Sequence, residues 1–125
     1  MMARSLLIAV PDLLFRSKLR DAAQNAGADT SSASNSGVVL ERARETCPEV
    51  VVIDLGDERL EPFDLIRNLK AEPSLSATQI VGFFSHVRTD IRDAAKAAGC
   101  DVILPRSVVV SALAGILAGD TTGGR

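Results

Sequence analysis

A single acidic residue, Asp54, ends a run of four β-branched residues at positions 50–53. The run Val-Val-Val-Ile is typical of a strand that is buried on both faces of a parallel sheet, with its acid at the carboxyl end. A charge in that position costs free energy unless the carboxylate is hydrogen-bonded or has a chemical role. Such a carboxylate can accept a transferred group or pair with a basic side chain. Asp54 is therefore the first residue of the candidate site.

Other polar residues follow other predicted strands, in the segments 10–12, 84–86 and 105–107. In an open α/β sheet, ligand chemistry lies at the carboxyl ends of the strands, so these segments and Asp54 are expected at one edge. The chain has one histidine and two distant cysteines, Cys47 and Cys100. No nucleophile–base pair or metal cluster can be assembled from them, so an enzyme is not predicted.

Apolar strand-like runs alternate with segments of helical period along the whole chain. The predicted strands cover residues 6–10, 28–34, 50–54, 80–84 and 101–104, and the predicted helices cover 13–26, 37–46, 63–71, 89–98 and 107–118. The second strand is rich in Ser and Thr, which favours a sheet edge, and Ser107 is a good cap for the last helix. The pattern predicts an α/β fold with a doubly wound parallel sheet and helices on both faces. We expect one domain at 1–118 and a flexible polar tail at 119–125.

Composition limits the partners and the compartment. The chain has 125 residues and a net charge of −2, with no basic stripe, so nucleic acid is not an expected partner. No apolar run approaches the ~20 residues of a membrane span, and the amino terminus lacks a signal-peptide pattern, so no membrane association is expected. Two free cysteines fit a reducing compartment, and we expect the protein to be cytoplasmic.

Several doubly wound families are excluded by stereochemistry, because the first turn has no glycine for a dinucleotide site or P-loop and Cys-x-x-Cys is absent. The segments 50–66, 14–20 and 98–107 together resemble the bacterial response-regulator receiver domain, in order and with matching separations. The resemblance covers nearly the whole chain. It implies a flavodoxin-like fold with strand order 2-1-3-4-5 and five helices, and a role in two-component signal transduction.

The resemblance also implies a set of site positions. Asp54 matches the phosphoacceptor, and Gly56 matches the residue whose carbonyl binds Mg²⁺. The acidic pair of the family falls on Val10 and Pro11 in the ungapped alignment that we favour, and on Pro11 and Asp12 after a one-residue slip. At least one acid is lost in either case. Asp12, Asp54 and Gly56 would therefore bind Mg²⁺ weakly at best, and no other cofactor is expected.

The remaining receiver positions are also changed. Phe84 stands where the family has a hydroxyl residue, with Ser85 one place later and expected to point elsewhere unless the strand end is bulged. We expect Phe84 to fill the phosphoryl space as a core residue. Arg106 replaces the family's lysine, and we expect it either to pair directly with Asp54 or to point to solvent. Ile103 replaces the aromatic residue of the family's conformational switch.

These changes predict a degenerate receiver, or pseudo-receiver, that acts without phosphorylation as a protein-interaction module. The expected contact for a protein partner or a second copy is the face of the fourth helix, fifth strand and last helix, including Val108, Val109 and Leu113. Those apolar residues are alternatively core.

Two other functions are compatible with the same residues. One is a functional receiver phosphorylated on Asp54 with weakened Mg²⁺ binding, which an open pocket at Asp54 would favour. The other is a small-molecule binder that uses Asp12, Asp54 and Arg106 on the same fold.

Overall fold

Five parallel strands form one sheet in a computed structural model that describes residues 4–85 and 88–118. The strands are β1 (Ser5–Ala9), β2 (Asp29–Ala33), β3 (Val50–Asp54), β4 (Gln79–Phe84) and β5 (Val102–Pro105). Their order in the sheet is β2-β1-β3-β4-β5. This order confirms the predicted doubly wound topology. The predicted tail at 119–125 and the loop residue His86 lie outside the described residues.

Five α-helices connect the strands: α1 (Leu13–Asn25), α2 (Ser36–Thr46), α3 (Pro62–Ala71), α4 (Thr89–Ala98) and α5 (Arg106–Leu117). Two short 3₁₀ turns, Glu58–Leu60 and Pro73–Leu75, precede α3 and β4. All ten predicted elements are present, and their boundaries differ from the predicted ones by at most one residue. None of the described helices has the length and apolarity needed to cross a membrane.

The apolar side chains divide into two cores, one on each face of the sheet. One core lies between the sheet and helices α1 and α5, and the other lies between the sheet and helices α2, α3 and α4. Every residue of β3 is buried, as its unbroken apolar run predicts. The polar strand β2 lies at an edge and is mostly half-buried, which confirms its predicted position.

The last helix differs from the prediction at its start and in its exposed face. Its N-cap is Pro105, which has no capping side chain, and Ser107 lies inside the first turn, so the predicted Ser107 cap is wrong. Val109 and Leu113 are completely buried against α1 and the sheet, while Val108 is 37% exposed. Residues four apart share one helix face, so Val109 and Leu113 belong to the core stripe. The prediction that these two residues form part of a partner face is therefore wrong.

The loop after β3 is fixed in place by contacts with β4. Ile53 pairs with Gly82 of β4, and the backbone N–H of Leu55 donates to the carbonyl of Phe83 at 2.8 Å. A Cβ on Gly82 would lie 2.7–2.9 Å from three carbon atoms of the Leu55 side chain. Leu55 therefore occupies the space that the missing side chain leaves, directly after Asp54.

Candidate functional site

Asp54 lies at the carboxyl end of β3 and is only 8% exposed. The backbone N–H of Gly56 donates to Oδ1 of Asp54 at 3.0 Å. Burial raises the pKa of the Asp54 carboxyl above its ordinary value, and the negative charge of Asp57 adds to the rise. The Gly56 hydrogen bond and the charge of Arg106 act in the opposite direction on this pKa without cancelling it. Asp54 is thus a buried carboxyl whose charge is incompletely compensated.

Asp12 lies beside Asp54 at the same edge and is the N-cap of α1. Its Oδ1 accepts hydrogen bonds from the backbone N–H groups of Leu14 at 3.0 Å and Phe15 at 3.3 Å. Its Oδ2 accepts a hydrogen bond from Nη2 of Arg106 at 3.0 Å. The Arg106 hydrogen bond and the Phe15 N–H both lower the pKa of the Asp12 carboxyl. Both oxygens of Asp12 therefore have partners.

Arg106 pairs with Asp12 and not with Asp54, so the expected direct bridge to Asp54 is wrong. Its guanidinium also lies over the ring of Phe15, 4.1 Å from the ring centroid. Phe15 in turn packs against Phe83 of β4 with ring centroids 5.0 Å apart and planes tilted by 43°. The planar guanidinium can satisfy a carboxylate and an aromatic face together. These two contacts hold Arg106 at the start of α5 against the start of α1.

A second ion pair on the loop after β3 was not predicted from the sequence. Nε of Arg59 donates to Oδ1 of Asp57 at 3.0 Å, and Nη2 donates to Oδ2 at 2.7 Å. The backbone N–H of Arg59 also donates to Asp57 Oδ1, which caps the 3₁₀ turn Glu58–Leu60. The Arg59 side chain lowers the pKa of the Asp57 carboxyl. The Asp-x-Arg spacing just after a buried strand was the sequence signal that could have predicted this ion pair.

These residues line an open cleft of about 490 Å³ at the carboxyl edge of the sheet. Its walls are formed by Asp12, Asp54, Gly56, Asp57, Glu58, Arg59, Ser85 and Arg106. Phe84 is a core residue as expected, buried beneath α2, α3 and α4, but it does not line the cleft, so the expectation that it fills this space is wrong. Ser85, expected to point elsewhere, is on the cleft wall just beyond the end of β4.

Three further receiver positions lie outside the cleft wall. Val10 is completely buried in the core beneath α1 and α5, and Pro11 is half-buried beside it. Ile103 is half-buried and packs against the core on the opposite face. Of residues 10–12, Asp12 lines the cleft while Val10 and Pro11 do not.

The predicted Mg²⁺ trio of Asp12, Asp54 and Gly56 offers few uncommitted oxygens, whereas Mg²⁺ prefers an oxygen-rich ligand set. Within residues 4–85 and 88–118, no group of three or more His, Cys, Asp or Glu side chains is placed to hold a metal ion. Both oxygens of Asp12 are engaged by N–H donors, and Oδ1 of Asp54 is engaged by Gly56. The predicted trio of Asp12, Asp54 and Gly56 thus supplies one uncommitted carboxylate oxygen.

Comparison with solved structures identifies the fold. The receiver domain of a DNA-binding response regulator (merR) from Colwellia psychrerythraea 34H superposes with a TM-score of 0.82 at 19% identity, covering 93% of this chain and 96% of that one. A LuxR-family DNA-binding response regulator from Staphylococcus aureus gives 0.81 at 13% identity, covering 94% and 98%. A LuxR-family two-component response regulator from Aurantimonas sp. SI85-9A1 gives 0.76 at 24% identity, covering 95% and 87%.

The chain therefore has the flavodoxin-like fold of response-regulator receiver domains, as the sequence resemblance implies. No protein-family model matches the sequence, and no curated protein matches it significantly.

Proposed function

We propose that the chain is a degenerate receiver that acts as a protein-interaction module in bacterial two-component-type signalling, without phosphorylation of Asp54. One observation carries the proposal: Asp12 and Arg106, an acid and a base that line the same cleft as Asp54, are hydrogen-bonded to each other. Phosphoryl transfer to a carboxylate needs cations that offset the charge on the transferring group. Arg106, which could offset this charge, is already paired with Asp12. For the same reason Asp12, which could bind a metal ion, is already paired with Arg106.

Two further features support the proposal. The positions that match the family's acidic pair in the ungapped alignment are Val10 and Pro11, and neither side chain has an oxygen. Burial raises the pKa of Asp54, and within the described residues no basic side chain lies within bridging distance of its carboxylate to offset the charge. Asp54 thus has the position of a phosphoacceptor without the charges that would assist the reaction.

Intact mass spectrometry after incubation with acetyl phosphate and Mg²⁺ tests this proposal. We expect the unmodified chain to gain no phosphoryl group. A double variant, Pro11→Asp with Arg106→Lys, restores one acid and the compact cation, and we expect it to gain one phosphoryl group that disappears when Asp54→Asn is added. Stoichiometric, Asp54-dependent phosphorylation of the unmodified chain would refute the proposal.

The main rival is a functional receiver phosphorylated on Asp54. The observation in its favour is that the cleft beside Asp54 is open and that Ser85 supplies a hydroxyl on its wall, since Phe84 does not occupy the space. The same mass measurement separates the two functions, because only the rival predicts a mass increase in the unmodified chain.

The proposed contact surface remains the face of α4, β5 and α5, now without Val109 and Leu113. Val108 is the exposed large apolar residue of the described part of α5. A homodimer through this face should be weakened by Val108→Asp, and sedimentation velocity over a range of protein concentrations measures this change. An unchanged monomer–dimer equilibrium in the variant would exclude this face from the dimer.

A further inference from the structure

The charges in the cleft do not balance. Four acids, Asp12, Asp54, Asp57 and Glu58, line it with two arginines, Arg59 and Arg106, so the lining has a net charge of 2 − 4 = −2. Each arginine is already paired with one acid, Arg106 with Asp12 and Arg59 with Asp57. In the described part of the chain, Asp54 and Glu58 have no basic partner within bridging distance. The uncompensated charge is therefore concentrated on these two residues.

Of these two acids, Asp54 has the greater need of a cationic partner, because more than nine-tenths of its surface is buried. Its Oδ1 accepts the Gly56 N–H, while its Oδ2 accepts no hydrogen bond from any described residue. Oδ2 is open to the cleft although most of the Asp54 side chain is buried, and a cationic donor is the partner that best offsets the charge of such a partly desolvated carboxylate. Since Asp54 lines the cleft, such a donor can reach it from solvent.

We propose that the cleft binds a basic side chain, arginine or lysine, presented by a protein partner, with Oδ2 of Asp54 accepting its N–H hydrogen bond. This inference rests on the proposed function and adds the chemistry of the partner to it. An organic cation suits the site better than Mg²⁺, because Mg²⁺ needs near-octahedral oxygen ligands. A guanidinium or ammonium needs only hydrogen-bond acceptors, and Asp54 Oδ2 is one.

Exposed apolar residues at the same edge of the sheet indicate that the cation belongs to a protein. Leu14 is 78% exposed in the first turn of α1, and Val108 is 37% exposed in the first turn of α5. Both helices begin at the carboxyl edge of the sheet, where the Asp12–Arg106 ion pair joins their first turns. A partner segment with an apolar residue next to its basic residue would match this combination of charge and apolar surface.

The test is an NMR titration of the unphosphorylated 125-residue chain with acetyl-leucyl-arginine amide. We expect saturable shifts of the Gly56 and Asp57 amides, and an affinity that falls about tenfold or more in Asp54→Asn. Glu58→Gln, an exposed loop substitution, should weaken binding about twofold. Asp93→Asn on α4 is the matched control, because it removes an exposed acid outside the cleft and should leave the affinity unchanged.

Probe variants separate the possible sources of the cation. Acetyl-leucyl-citrulline amide has the same shape without the charge and should not bind. Acetyl-glycyl-arginine amide should bind more weakly than the leucyl peptide, and Leu14→Ser should remove that difference. Equal binding of the two arginine peptides would refute a protein partner, and Mg²⁺ causing the same Asp54-dependent shifts at lower concentration would refute an organic cation.

The inference fails if the leucyl-arginine peptide causes no shifts or if Asp54→Asn leaves its affinity unchanged. Such a result, with no phosphorylation in the mass experiment, refutes the inference and leaves the proposed function intact. Phosphorylation of the unmodified chain refutes the proposed function directly, whatever the titration shows.

Discussion

Gly82→Ala should destabilise the chain, although alanine is ordinarily the better residue in a regular element. The added Cβ would lie 2.7 Å from Cδ1, 2.8 Å from Cγ and 2.9 Å from Cδ2 of Leu55. Leu55 is 3% exposed, and its backbone N–H is bonded to the Phe83 carbonyl, so the side chain cannot simply rotate into solvent. The loop that begins at Asp54 would have to shift.

The expected magnitude follows from two opposing effects. Overpacking a filled core costs about 1–3 kcal/mol, while replacing glycine in a strand contributes about 0.5–1 kcal/mol in the opposite direction. We expect a net loss of about 1–2 kcal/mol in the free energy of unfolding. Leu55→Ala alone should cost about 2–5 kcal/mol through the cavity that it leaves. In that background Gly82→Ala should cost nothing, which gives a favourable coupling of about 1–2 kcal/mol between the two substitutions.

Urea denaturation of the four proteins of this cycle measures these differences, and an unchanged m-value shows that the comparison is valid. Gly37→Ala in α2 is the matched control, because the nearest contact of its added Cβ is Asn35 Oδ1 at an ordinary 3.5 Å. It should leave stability unchanged or raise it by up to about 1 kcal/mol. Strictly additive effects of Gly82→Ala and Leu55→Ala would refute the packing argument.

Three further predictions concern the side chains of Asp54, Asp101 and Cys100. Asp54→Asn should raise the free energy of unfolding at pH 7. Burial raises the pKa of Asp54 above its ordinary 3.8, so the ionised form disfavours the native state. The gain in stability should shrink as the pH falls through the raised pKa and should vanish below 3.8. Asp101→Ala should cost about 1–3 kcal/mol, because Oδ2 accepts the N–H of Ile80 at 2.8 Å and Ile80 is 1% exposed. Burial raises the pKa of the Cys100 thiol to about 11, so iodoacetamide at pH 8 should label exposed Cys47 and leave Cys100 unmodified until the chain unfolds.

Each of these predictions has its own control. Urea titrations at pH 7 and pH 3 follow the Asp54→Asn effect, and a gain of equal size at both values would contradict the role of ionisation. Lys70→Ala removes only the exposed ion pair to Asp101 and should cost less than about 1 kcal/mol. If it costs as much as Asp101→Ala, the Ile80 hydrogen bond is not the main contribution. Peptide mass mapping locates the alkylated cysteine, and equal labelling rates would contradict the partial burial and raised pKa of Cys100.

The fold was predictable because local patterns and tertiary structure agree. The unbroken run at 50–53 is buried on both faces, and the Ser/Thr-rich segment at 28–34 lies at the edge of the sheet. The start of α5 was harder to predict from the sequence, because Pro105 and Arg106 give no capping signal while Ser107 gives a false one. Strong local signals thus predicted the elements correctly. The N-cap of α5 was predicted wrongly because this helix has no capping side chain.

The site was predictable at the level of backbone position and not at the level of side-chain partners. Asp54 and Gly56 meet where expected, because strand geometry places them. The partner of Arg106 depends on the reach of a long side chain and on Phe15, which sequence spacing does not relate to it. Phe84 and Ser85 differ by one place at the end of β4, and which of them faces the cleft depends on where the strand stops.

The two oxygens of Asp12 serve two different helices, since one holds the first turn of α1 and the other holds Arg106 of α5. Oδ1 already accepts two N–H groups, so a ligand that recruits this oxygen must compete with the bonds to Leu14 and Phe15. Binding through Oδ1 of Asp12 is therefore thermodynamically linked to fraying of the first turn of α1. A ligand that takes Oδ1 would show itself as faster amide hydrogen exchange at Leu14 and Phe15, even at sites where it makes no contact.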